Sequence, residues 1–244
     1  MASNPMHQFE VYSIGPEIIL GPVNLSFTNS SLFMVISSLS ILLLFFLATK
    51  KKSLIPYKIQ LVGEMSYTFV AKMISDTAGA NAKPFFPFIF TLFMFVLFCN
   101  MVGMLPYSFT VTSHIIVTFV LAAAIFIGVT VIGFIKHGIK YLELFVPKGV
   151  PVVLLPLIII IEVISYLSRP VSLSVRLFAN MMAGHTMLKV FGGFVISLGL
   201  LGGWLPLGFS VALTGLEILV AFLQAYVFAI LTCIYLNDAL NLHH

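Results

Sequence analysis

SLSVRLFANMMAGH, residues 172–185, sets an arginine, Arg176, in one of the most apolar neighbourhoods of the chain. An arginine at the middle of a bilayer costs about 2.5–3.5 kcal/mol on insertion scales. Guanidinium cannot escape by deprotonating, because its pKa lies above about 12. Arg176 is therefore a permanent cation that needs water, a partner, or both.

The surroundings read as membrane. Of 244 residues, 60% are hydrophobic and only 8% charged, against about 25% charge in a soluble domain. No Asp, Glu, Lys or Arg occurs in Ser31–Thr49, Pro84–Ile135, Val190–Leu216 or Ile218–Asn237, and a span needs roughly 20 apolar residues. The net charge of +4 does not point to nucleic acid. All but Arg169, Arg176 and Lys189 of the 12 lysines and arginines fall in two interspan stretches, Lys50–Lys83 and Lys136–Lys148. That is a positive-inside pattern. It puts both stretches on the inner side and the N-terminus, with Glu10 and Glu17, outside.

Cys99 and Cys233 sit in apolar runs and read as small buried hydrophobes rather than a disulfide framework. The N-terminus lacks a basic region followed by a short apolar core, so no cleavable signal is expected. The sequons at Asn24 and Asn29 are weak signals and carry no argument.

The fold class expected is an all-α polytopic membrane protein. It should have about five membrane helices, two of them long and steeply tilted if each is continuous, plus an interfacial amphipathic helix. Residues 1–30 form an outer N-terminal segment with Pro5, Pro16 and Pro22, and residues 31–52 hold the first span. Residues 53–83 hold the amphipathic helix on the inner face. Ile59, Val62, Phe69, Val70 and Met73 fall on one side, with Glu64, Tyr67 and Ala71 opposite. Packing of that helix on other protein is the alternative. Residues 84–244 form the remaining helical domain, with spans at about 85–105 and 113–135. From Gly149 to Phe191 nothing breaks decisively: Pro151 and Pro156 sit near a helix start, and Pro170 should bend rather than stop it. This stretch and the last one, about 194–238, are each either one tilted helix or two shorter ones. The small-residue spacing in Gly199–Gly203 is common and is given no weight.

On a helical wheel Glu162, Ser165, Arg169, Ser172, Arg176, Ala179, Asn180 and Ala183 share about a 100° arc. Small residues there let another helix approach closely. His185 falls on nearly the opposite side. A second stripe, Glu217, Ala221, Gln224, Phe228 and Tyr235, follows on the last helix, and Glu217 is the only carboxyl group between Glu162 and Asp238. Intramembrane ionisable groups of both signs point to a proton or ion path. Plainer readings stand beside this one. Arg176 could be an ion-pair partner of Glu217 or Glu162, and His185 a packing histidine. Asn180 and Gln224 could be hydrogen-bonding glue, and Glu162 and Asp238 interfacial anchors. Asn100, His114 and His137 carry little signal. No P-loop, dinucleotide glycine motif or HExxH occurs, so no nucleotide site, cofactor or metal is expected. An anion transporter and a purely structural anchor are the competing functional classes.

Ser172–Met181 resembles the core signature of subunit a of the F-type ATP synthase membrane sector (subunit 6 in mitochondria). Gln224-Ala225-Tyr226-Val227-Phe228, seven residues beyond Glu217, resembles the second signature of that family. Leu105-Pro106-Tyr107-Ser108-Phe109 and Tyr235-Leu236-Asn237-Asp238-Ala239 resemble mitochondrial members. The resemblance covers most of the chain after about residue 84. It implies a non-catalytic, proton-translocating subunit beside a c-subunit ring, with two offset half-channels and coupling to ATP synthesis by the whole complex. Arg176 matches the family's essential charge between the half-channels. His185 and Glu217 match the outer half-channel, and Glu162 and Asp238 the inner one. Asn180, Gln224, Ser172 and Arg169 are supporting polar groups, with Asn180 or Gln224 expected to soften contacts near the arginine. Implied partners are the c-subunit ring, peripheral-stalk subunit b, other membrane-sector subunits and the lipid bilayer. A second ATP synthase, as a dimer mate, is left open. The order of histidine before carboxylate suggests the mitochondrial inner membrane, with the bacterial plasma membrane as the alternative. Ala179 departs from the glycine usual in bacterial members.

Overall fold

The structure, a computed structural model, describes residues 9–14, 19–20, 23–24, 26–50, 56–105, 108–145 and 154–241. Pro5, Pro16, Glu17, Pro22, Lys51, Lys52, Pro106, Tyr107, Lys148 and Pro151 lie outside the described residues.

Six α-helices carry the chain: α1 (Asn29–Lys50), α2 (Lys58–Ala78), α3 (Phe86–Gly103), α4 (Ile115–His137), α5 (Leu155–Gly202) and α6 (Trp204–Leu240). Five of them, all but α2, are long and apolar enough to cross a membrane, so the chain is an all-α polytopic membrane protein. The one strand pairing described is a minimal hairpin, Ile19–Leu20 against Val23–Asn24.

The long apolar stretch resolves into one helix, not two. Helical structure runs from Leu155 through Pro170 to Gly199, where φ is 58° and ψ is −154°. The 1.5 Å rise makes that run about 65 Å long, roughly twice the hydrocarbon thickness. Pro170 does not interrupt it. The turn to α6 lies at Gly199–Gly203, several residues beyond the boundary expected near residues 191–194. A positive φ is strained for any residue with a Cβ. The glycines at 199–203, given no weight in the sequence, are what ends α5.

The core forms where α3, α4, α5 and α6 meet. Phe93, Met94, Leu177, Phe228, Ala229, Cys233 and Leu236 are buried there. Cys99 and Cys233 are both buried free thiols. Hydroxyl pairs knit the helices: Thr118 to Ser174 at 3.1 Å and Thr130 to Tyr166 at 2.7 Å. After α4, a short 3-10 segment (Gly138–Phe145) brings the Tyr141 hydroxyl to within 3.0 Å of the Tyr166 hydroxyl. Lys136 Nζ and His137 Nε2 donate to the Leu240 carbonyl at 3.0 and 3.2 Å, so donors of α4 cap the open end of α6.

Helix α2 packs on protein along part of one side. Val70, Met73, Ile74 and Ala78 are buried, and the Phe69 ring meets Phe93, Phe222 and Tyr226 at 5.6, 5.9 and 5.7 Å. Ile59 and Val62, on the apolar side, are exposed, and Tyr67 packs on Phe86 and Phe90. The apolar arc is followed only in the second half of α2, where α3 and α6 supply the partner.

Gly199→Val should destabilise the assembled protein by about 1–2 kcal/mol, because a β-branched residue is forced to positive φ. Thermal inactivation of the assembled complex checks this, and an unchanged midpoint would contradict it.

Candidate functional site

Helix α5 has two faces of opposite character. Tyr166, Pro170, Leu173, Ser174, Leu177 and Met181, at three- and four-residue spacing, turn inward and are buried. Ser165, Ser172, Arg176, Ala179, Asn180 and Ala183 are exposed, with Glu162 and Arg169 half-buried at the inner end. A polar stripe on a membrane helix cannot face hydrocarbon cheaply; it faces water or another protein.

Arg176 makes no hydrogen bond or ion pair among the described residues, although it is the most expensive charge to leave alone. The reading of Arg176 as partner of Glu217 or Glu162 is corrected: Glu217 is engaged by His185, and Glu162 makes no ion pair among the described residues. Neither Asn180 nor Gln224 hydrogen-bonds Arg176, so the expected softening contact is absent within the chain. Asn180 is exposed beside it, and Gln224 is buried on α6.

Toward the C-terminal end of α5, nine residues or about 14 Å beyond Arg176, lies a compact polar cluster. His185 Nδ1 abuts Glu217 Oε1. Glu217 is buried on α6, and its two oxygens have no other hydrogen-bond partner. Burying a polar group is costly without a partner, and His185 is the partner of the buried Glu217 carboxyl. On the other edge of the ring, Nε2 lies 2.9 Å from the Gly103 carbonyl and 2.9 Å from Thr110 Oγ1. His185 is thus held at both edges of its ring. Room for the carboxylate comes from Gly184, where a Cβ would stand 2.8 Å from Glu217 Oε1.

Toward the N-terminal end of α5, seven residues or about 10 Å before Arg176, Arg169 is engaged. Its Nη1 donates to Asp238 Oδ2 at 3.2 Å, and its guanidinium lies 5.2 Å from the Tyr166 ring centre and 5.0 Å from that of Tyr235. Guanidinium between two aromatic faces is a cation–π arrangement. Asp238 therefore has a partner, while Glu162, two turns further inward, is not brought to it.

Sequence reasoning missed Thr110, Gly103 and Gly184, and gave Asn100 no role. Thr110 directly follows the Leu105–Phe109 motif, and Gly184 directly precedes His185. Adjacency to motif residues was the available signal.

Residues 31–237 match the family model described as ATP synthase A chain. The chain belongs to that family. It is 80% identical to an ATP synthase subunit a of Pelagibacter ubique over 244 residues, all of both chains. It is 59% identical over 250 residues to one from a Chelativorans species, again spanning both fully. A Rhizobium rhizogenes homologue is 58% identical over 247 residues, 99% of this chain and 98% of that one. The chain is thus the proton-translocating subunit of the membrane sector of ATP synthase, with other subunits of that sector as partners. These relatives are bacterial, so the mitochondrial inner membrane is withdrawn in favour of the bacterial plasma membrane. The order of histidine and carboxylate on α5 and α6 does not separate the two compartments.

Gly184→Ala should push the Glu217 carboxylate off His185, because the new methyl overlaps Oε1. Proton-driven ATP synthesis in membrane vesicles should fall while the amount of assembled complex holds; an unchanged rate would contradict the contact.

Proposed function

We propose that Arg176 is the charge that separates two offset aqueous half-channels, and that it faces the carboxyl groups of a c-subunit ring. Support comes from one observation above all: Arg176 is exposed on a polar and small-residue stripe and is the α5 arginine left unpaired, while Arg169 is held by Asp238. A charge withheld from its own chain is available to a rotor. The small residues Ser172, Ala179 and Ala183 on that stripe allow a second helix to come close.

A neutral carboxyl on the ring can face lipid, but a carboxylate cannot without large desolvation cost. Arg176 stabilises the carboxylate form as each ring site passes. The same fixed cation repels a proton that would otherwise cross directly from one channel to the other. The contact must stay loose, because breaking a dry buried ion pair costs about 3–5 kcal/mol, whereas one charge crossing 100 mV releases about 2.3 kcal/mol. Exposure of Arg176 and the absence of a second anchoring bond from Asn180 or Gln224 fit that requirement.

His185 and Glu217 serve the outer half-channel in this reading. They are buried ionisable groups in direct contact, which suits holding and releasing a proton. Glu162 and Asp238 serve the inner half-channel, where Glu162 is half-exposed and Asp238 is steadied by Arg169. Ser172, Asn180 and Gln224 line the approach to the arginine. Peripheral-stalk subunit b and other membrane-sector subunits complete the assembly.

Arg176→Ala should abolish ATP-driven proton pumping in vesicles holding the assembled complex; retained coupled pumping would refute the assignment. Glu217→Leu should slow proton-driven synthesis by roughly 100-fold or more, the scale of losing a positioned proton carrier, without dissociating the complex. Unchanged flux would reduce Glu217 to packing.

A further inference from the structure

His185 sits between two unlike edges. A carbonyl oxygen cannot donate, so the 2.9 Å approach of Gly103 O to Nε2 requires the hydrogen to be on Nε2. Thr110 Oγ1 reinforces this: its hydroxyl donates to the same Gly103 carbonyl at 3.1 Å, which leaves its lone pairs toward Nε2 at 2.9 Å. Nε2 thus meets two acceptors. Nδ1, on the other edge, meets the Glu217 carboxyl, and the ring also has the Met181 backbone as a hydrogen-bond neighbour.

What holds the acceptors in place is Asn100, fully buried near the end of α3. Its Oδ1 accepts from the Thr112 hydroxyl at 2.9 Å, and its Nδ2 donates to the Ala221 carbonyl at 3.2 Å. Thr112 belongs to the short 3-10 turn Val111–Ser113 that follows Thr110, and Ala221 lies one helical turn beyond Glu217 on α6. One amide therefore ties the segment bearing Thr110 to the helix bearing Glu217. His185, on α5, lies between them.

We infer that Asn100 and Thr112 form a latch that fixes the tautomer of His185, so that the histidine exchanges protons at Nδ1 alone. This rests on the outer half-channel reading of His185 and Glu217. The couple holds one proton at the Nδ1–Oε1 contact and is then neutral overall. When that proton leaves toward the rotor, neutral histidine and carboxylate remain. When a proton from the outer water replaces it, the couple is restored. Nε2 keeps its hydrogen throughout. His185 does not pass a proton through its ring from one nitrogen to the other, and Asn100 and Thr112 act as positioning residues.

The test uses the whole complex in native membranes, with 15N-labelled histidine and nitrogen resonances read by solid-state NMR. The signals of His185 are identified as those lost in His185→Gln. In the unmodified complex, Nε2 should remain protonated in a single tautomer. Thr112→Val should admit both tautomers and lower proton-driven ATP synthesis roughly three- to tenfold, the scale of one net buried hydrogen bond. Thr112→Ser, which keeps the hydroxyl, should restore both readouts. Mixed tautomers in the unmodified complex would overturn the latch, as would Thr112→Val leaving the tautomer fixed. If His185→Gln leaves proton-driven synthesis unchanged, the outer half-channel reading itself fails, a result distinct from failure of the latch.

Discussion

A permanent cation that its own chain leaves unpaired inside a membrane protein is the constraint on which the rest depends. Arg176 cannot lose its proton and makes no ion pair among the described residues. Among the described residues no carboxylate meets its energetic cost, which is why water and the carboxyl of another subunit are proposed to do so. Everything around it is arranged so that nothing inside competes. Glu217 is taken by His185, Asp238 is taken by Arg169, and Glu162 lies about 21 Å away along the helix.

The length of α5 follows from the same requirement. Glu162, Arg169, Arg176 and His185 are spread over about 35 Å of its axis. The single run past Pro170 keeps them on one rigid element, and α6 returns beside it with Glu217 outward and Asp238 inward. Two clusters therefore form on either side of Arg176, each spanning α5 and α6. The Asn100–Thr112 tie adds α3 to the outer one, and Tyr141, held on Tyr166, adds the segment after α4 to the inner one.

Much of this could be read from the sequence, for identifiable reasons. Long apolar runs announced the five long helices, and helical spacing put Arg176 on a stripe of polar and small residues, most of which the structure leaves exposed. Periodicity also separated His185 from that stripe. What it could not give is which charge pairs with which, since that depends on tertiary contacts between helices distant in sequence: Arg169 with Asp238, His185 with Gly103 and Thr110. Periodicity likewise could not say which part of the apolar side of α2 meets protein, because burial there is decided by where α3 and α6 lie. The turn at Gly199 was present as a glycine cluster, but only its positive φ distinguishes a helix stop from a packing motif.

The most direct test is a density map of the complete membrane sector at a resolution that shows side chains. On this account the Arg176 guanidinium lies against the ring, within a few ångströms of a ring carboxyl and next to water, with Glu217 still on His185 and Asp238 still on Arg169. A map in which Arg176 turns back to pair with Glu217, Glu162 or Asp238, or points into lipid away from any rotor, would contradict it.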